Sequence, residues 1–172
     1  MDKPTRTLLV IGDNKLIEDF KNKSDIREIY NHPKVKNAFI IIFYDIRKSE
    51  SYFKDLKQNT TVFYTISKYE VPQEPDKCDE SKNQGTVYIT LRSNNKTEIN
   101  DNEFMNYLNG FGEIKEVKLT SGLIKCIEYY DTRSSKRVRE ALNNKSYEGN
   151  PVTVRNVWDL NSKTRQEIFN QN

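Results

Sequence analysis

Apolar residues recur along this chain at strand and helix spacings, and the sequence of spacings occurs twice. In the C-terminal half, Val87-Tyr88-Ile89-Thr90-Leu91 predicts a strand, with Val87 and Ile89 on one face and Tyr88 and Thr90 on the other. Phe104, Leu108 and Phe111 then fall at i, i+4 and i+7, which predicts a helix over 102–111 capped by Asp101 and closed by Gly112. Residues 114–120 and 123–130 predict two strands joined by a tight turn at Ser121-Gly122. Val138, Ala141 and Leu142 share one face of a second helix over 134–143, and 152–157 supplies a last strand. The order is β-α-β-β-α-β, which gives a four-stranded antiparallel sheet with both helices on one face.

The N-terminal half repeats that order less sharply. Strands are expected at 7–11, 26–30, 38–44 and 61–66, with helices at 16–21 and 49–57. Asp25-Ile26-Arg27-Glu28-Ile29 followed by Phe43-Tyr44-Asp45-Ile46-Arg47 recurs as Glu113-Ile114-Lys115-Glu116-Val117 followed by Tyr129-Tyr130-Asp131-Thr132-Arg133. Equivalent positions lie about 80 residues apart, so the chain is a duplicated unit. The fold class is α+β, with two ferredoxin-like domains in tandem. The first domain spans 6–70, an acidic linker 71–84, the second domain 85–160, and a polar, frayed or loosely helical tail 161–172.

Charge refines this picture. The formal net charge is +3, while the linker carries Glu74, Asp76, Asp79 and Glu80 against Lys77 and Lys82, so the domains are slightly basic and the linker acidic. That balance is too weak for an affinity resting mainly on phosphate contacts. A single histidine, His32, leaves little material for a zinc site or a general-base triad. Cys78 and Cys126 form no metal spacing and are expected as free thiols. No glycine-rich phosphate loop or suitably spaced carboxylate pair occurs, so neither an enzyme nor a cofactor is expected. No apolar run approaches the roughly 20 residues that cross a bilayer, and no secretion signal is present; no membrane partner is expected, and the nucleus and/or cytoplasm is the expected location.

The second unit resembles an RNA-recognition motif. Val87-Tyr88-Ile89-Thr90-Leu91-Arg92 is similar to the family's hexamer motif, with Tyr88 at the position whose ring stacks on a base, and Gly122 to Tyr129 aligns with its octamer. More narrowly, Gly112-Glu113-Ile114-Lys115-Glu116 with Ile127-Glu128-Tyr129-Tyr130-Asp131-Thr132-Arg133 resembles the second such motif of the Mei-two-like proteins, regulators of meiosis. Ile29-Tyr30 and Phe43-Tyr44-Asp45-Ile46-Arg47 resemble that family's first motif. The resemblance implies single-stranded RNA as partner, gripped on the open sheet face of the second domain with the first domain auxiliary. It departs from the pattern where the octamer's two RNA-facing aromatics are Ile124 and Cys126, and where the first unit has Leu9, Ala38 and Ile40.

Each candidate carries a plainer alternative. Tyr88 and Thr90 lie on the open face, where Tyr88 is a stacking platform or simply a strand tyrosine. Lys118, Arg155 and Arg92 fall at or beside the same surface and contact phosphate or only water. Lys125 is expected to snorkel from the strand start. Tyr30 either replaces the missing first-unit platform or covers an aliphatic face that would otherwise stay wet and serve as a docking site for a protein partner, the other domain or the tail. Arg27, Lys34 and Lys36 are candidates for backbone contacts. Asp45 and Asp131 are read as helix caps paired with Arg47 and Arg133. Trp158 packs at the sheet edge or stacks on a base. The alternative to RNA binding is a protein-interaction module on a degenerate copy of the same fold.

Overall fold

A computed structural model of the chain describes residues 3–71, 82, 84–93 and 99–170. The chain divides into two compact units, 1–71 with 168–172, and 72–167. Most of the expected linker, including Cys78, lies outside the described residues.

In the first unit the elements run β1 (Thr7–Ile11), α1 (Lys15–Phe20), β2 (Ile26–Asn31), β3 (Ala38–Phe43), α2 (Ile46–Leu56) and β4 (Thr61–Thr65). The antiparallel sheet has the order β2-β3-β1-β4. Alternation sends Leu8, Val10, Phe39, Ile41, Phe43, Val62 and Tyr64 to the helix side, where they form the core with Phe20. Phe53 of α2 stacks on Tyr64 with ring centroids 4.1 Å apart. The opposite, open face carries Leu9 and Ile11 of β1, Ala38, Ile40 and Ile42 of β3, and Phe63 of β4.

The second unit has β5 (Thr86–Leu91), α3 (Asp101–Asn109), β6 (Ile114–Ser121), β7 (Ile124–Tyr129), α4 (Thr132–Leu142), β8 (Lys145–Tyr147) and β9 (Asn150–Asn156); α5 (Ser162–Asn170) follows, its residues from Ile168 on being counted with the first unit. Its sheet order, β6-β7-β5-β9-β8, is that of the first unit with one short strand added at the edge. The core is Val87, Ile89, Leu91, Phe104, Leu108, Ile127, Tyr129, Val138, Leu142, Val152 and Val154. Tyr129 is fully buried, and its hydroxyl donates to the Leu108 carbonyl at 2.7 Å, so burial of a polar group is matched by a partner. Burial also drives its phenol pKa upward.

Two devices are repeated between the units. Asp45 and Asp131 each cap a helix, accepting at 2.8 Å from the backbone N–H of Arg47 and Arg133, whose guanidinium groups return to the same carboxylate at 2.8 and 2.7 Å. Burial works against ionisation of Asp45. Hydrogen bonds from the Arg47 side chain and backbone, with the charges of Arg47 and Arg6, outweigh it and hold the carboxyl below its usual range. One turn later, buried Ser49 donates to the Thr5 carbonyl at 2.5 Å and buried Ser135 to the Gln84 carbonyl at 3.0 Å, tying each helix to the chain ahead of the unit's first strand.

Three local expectations are corrected. Helix α2 begins at Ile46, three residues before the apolar periodicity starts, because the Asp45 cap sets its origin. Asn100, not Asp101, caps α3, its side chain accepting from the Glu103 N–H at 3.1 Å. Lys125 does not snorkel outward. It is fully buried on the helix side of β7, with its ammonium on Asp101 Oδ1 at 2.5 Å, Thr120 Oγ1 at 2.6 Å and the Gly122 carbonyl at 3.1 Å. Burying an ammonium is costly unless its donors find such partners.

Candidate nucleic-acid interface

Strand alternation builds the open face of the second unit. Tyr88 sits at its centre on β5, in register with Cys126 of β7 and Arg155 of β9. Thr90 is in register with Ile124 and Thr153 on the same strands. Arg155 is exposed, and its guanidinium carbon lies 4.8 Å from the centroid of the half-buried Tyr88 ring. Tyr88, Thr90, Thr153 and Arg155 line an open depression on the sheet.

The remaining candidates separate. Lys118 lies on β6 and is engaged by Glu128, at 3.3 Å to one carboxylate oxygen, while Lys115 approaches the other at 3.2 Å. Glu128 is 5% exposed on the open face, so two cations clamp a buried carboxylate there and part of the local positive charge is already matched. Ile124 and Cys126 are half-buried in the face itself. Burial raises the Cys126 thiol pKa against the opposing charges of Lys118 and Arg155, which favours the protonated thiol. Arg92 is exposed just beyond β5, where its backbone N–H donates to the Pro151 carbonyl at 2.9 Å. Trp158 is half-buried, with the Arg165 guanidinium carbon 5.3 Å from its ring centroid.

In the first unit, Lys36 is exposed in the β2–β3 loop, as is Lys34, while Arg27 on β2 is half-buried. Tyr30 faces outward, yet its ring meets Tyr69 edge-on at 5.4 Å and its hydroxyl bonds Ser67. Burial is the main cause that pushes its phenol to about 12. The Ser67–Glu70 turn therefore occupies Tyr30 and covers this end of the sheet, where Ile42 is 1% exposed. Glu70 locks the turn, accepting from the Ser67 N–H at 2.7 Å and the Thr7 hydroxyl at 2.6 Å. The second unit has a counterpart: the Asp159 carboxylate accepts from the Gly85 and Thr86 N–H groups and from the Thr86 hydroxyl at 2.8, 2.9 and 2.5 Å.

Two outward side chains join the candidates from the structure. Leu119 on β6 is 43% exposed in register with Cys126, placed there by a β-bulge that no periodicity reveals. Phe63 on β4 is 48% exposed. Its orientation was readable, since core residues Val62 and Tyr64 flank it, but it lies outside the two strands that carry the family motifs. Among the described residues no group of three or more metal-ligating side chains occurs, and no helix is long and apolar enough to cross a membrane.

The fold and its open sheet faces define two ferredoxin-like β-α-β-β-α-β domains in tandem. The chain's homologues are MEI2-like proteins. It is 31% identical over 167 residues to Protein MEI2-like 4 of Oryza sativa subsp. japonica and 28% identical over 167 residues to Protein MEI2-like 5 of Arabidopsis thaliana, in each case across 89% of the chain. It spans only 16% and 20% of those relatives' lengths. No family model matches the sequence. Similar solved structures include a Sxl-lethal protein/RNA complex, at 18% identity and TM-score 0.34 over 87% of this chain and 98% of that one. Another holds the three N-terminal RNA binding domains of the yeast splicing factor Prp24, at 11% identity and TM-score 0.37 over 93% of this chain and 69% of that one.

Proposed function

We propose that the chain binds single-stranded RNA on the open face of its second unit, with Tyr88 as the stacking platform and the first unit in an auxiliary role. The observation that carries this reading is the Tyr88–Arg155 pair: an aromatic ring at mid-sheet already accepts a flat, delocalised cation on its face. A nucleobase presents the same kind of planar surface, and a rigid sheet holds the ring in place at little entropic cost. Thr90 and Thr153 beside it offer hydroxyls to base edges, and Arg155 supplies a cation for the adjoining phosphate once it leaves the ring. The second unit reads bases through these groups, while Lys36 and its neighbours on the first unit supply backbone contacts.

The test is binding to a randomised pool of single-stranded RNA across a salt series, with Tyr88→Ala alongside the parent chain. Affinity that falls with salt and drops in a folded Tyr88→Ala variant supports the reading. Absence of binding to any RNA at low salt would overturn it.

A further inference from the structure

The internal duplication permits a rung-by-rung comparison of the two open faces. In the second unit the central rung runs Arg155, Tyr88, Cys126 across β9, β5 and β7. The matching rung of the first unit runs Phe63, Leu9, Ile40 across β4, β1 and β3. Phe63 therefore occupies the place of Arg155, and Leu9 that of Tyr88. Each unit keeps one aromatic ring on the same pair of neighbouring strands, on the inner strand in the second unit and on the outer strand in the first.

We propose that Phe63 is a base-stacking platform of the first unit, holding one unpaired base of single-stranded RNA. The proposal rests on the RNA-binding reading above and extends it to the sheet whose motif positions are aliphatic. Phe63 is 48% exposed, and no other ring or cation lies against it among the described residues. Phe53 and Tyr30, by contrast, are each already paired with another ring. Thr61 and Thr65 share its face two residues away on either side along β4, so hydroxyls lie beside the ring, as the Thr90–Thr153 rung lies beside Tyr88.

The size of the open patch decides between a base and a protein. The chain's own Ser67–Glu70 turn covers the end of the face near Thr7 and Tyr30. What stays open is centred on Phe63, Ile11 at 37% exposure and half-buried Leu9. With an aromatic side chain amounting to 150–250 Å² in full, these fractions leave roughly 200 Å² of apolar surface. A stable protein interface needs about 800 Å² on each partner. One nucleobase matches the patch; a folded partner does not.

The experiment measures binding of the full chain to a randomised pool of single-stranded RNA for Phe63→Ala, Phe63→Leu, Phe63→Trp and Tyr88→Ala. Phe63→Ala and Phe63→Leu should each weaken binding by about 5- to 150-fold, the range for loss of one base–aromatic stack, while Phe63→Trp retains it. Leucine keeps apolar area and removes only the π face, so it separates stacking from mere apolar contact. Because Phe63 is outside the core, circular dichroism and melting temperature should stay near those of the parent chain in all three. Unchanged binding in folded Phe63→Ala, with a clear loss in Tyr88→Ala, would overturn the Phe63 site and leave the RNA reading standing. Parent-like binding by Phe63→Leu would also overturn it. A parent chain that binds no RNA would overturn both.

Discussion

Arg155 and Tyr88 face each other across neighbouring strands, cation against ring, 4.8 Å from guanidinium carbon to ring centroid. The pair splits two contributions that are usually entangled. Tyr88→Ala should weaken RNA binding by about 1–3 kcal/mol with little change in its salt dependence, because a stack is electrically neutral. Arg155→Ala should instead lower the logarithmic salt slope by about 0.7, the contribution of one neutralised phosphate on a single strand. Titrations at several salt concentrations measure both; an unaltered affinity in folded Tyr88→Ala would remove the ring from the binding site.

The Asp45 cap makes the stability of the first unit sensitive to acid. Its folded pKa lies below the ordinary value of 3.8, so the unfolded chain binds the proton more readily. The associated stability is complete above the ordinary carboxylate range and is lost as pH falls through the folded value. Asp45→Ala should cost about 1 kcal/mol near neutrality and flatten the dependence below pH ~4. Urea unfolding at several pH values checks this, and an equally steep acid loss in the variant would contradict it.

Lys125 and Asp101 should respond unequally to truncation. Asp101 is 60% exposed, so water can replace its partner, whereas the Lys125 ammonium is sealed at 1% exposure. Lys125→Met fills the same volume with an apolar chain and should be close to neutral or stabilising; Asp101→Ala removes one partner of a buried cation and should be the more damaging change. Denaturant unfolding ranks them. The reverse order would mean that the ammonium is satisfied by Thr120 and Gly122 alone.

Gly112 and Gly122 both have positive φ, +155° and +54°, but only Gly112 is crowded. A Cβ there would stand 1.9 Å from Ser134 Oγ and 2.7 Å from Ser134 Cβ, while among the described residues nothing but its own chain neighbours lies within 4 Å of one at Gly122. Gly122→Ala should cost about 1–2 kcal/mol for backbone conformation. Gly112→Ala should cost more, and Ser134→Ala should not rescue it, since the Ser134 Cβ remains in the way. Thermal melts of the three variants test this, with full rescue as the contrary result.

What the sequence made legible follows from how locally each feature is encoded. The strand–helix order was readable because strongly apolar runs such as 38–43 and the spacing of Phe104 and Leu108 report burial directly. The aspartate caps were readable because an acidic residue two positions before an arginine at a helix start acts over one turn. Strand β8 escaped, being three residues long and largely exposed, although the left-handed Glu148 and Gly149 that follow it make the tight turn into β9. Ser67 and Glu70 form a capping box within what reads as the approach to a linker. The surroundings of Tyr30, Lys125 and Leu119 were not readable, because a turn 37 residues away, a hairpin with a helix start, and a bulge decide them.

The carboxylate ties at Thr7 and Thr86 bear on mechanical resistance. In the first unit Thr7 at the start of β1 is paired with Thr65 at the end of β4, so the chain arrives and departs at the same rung. The second unit repeats this, with the Val157 N–H on the Thr86 carbonyl at 3.1 Å. Tension pulling a unit's two ends apart is thus not shared along the ladder; it falls on one rung at a time, as in a zipper. The Glu70–Thr7 and Asp159–Thr86 bonds, with the Ser49–Thr5 and Ser135–Gln84 bonds just ahead of them, carry that load at the start of each unit. Each domain should yield to a weak pull, and these end ties set the force at which opening begins.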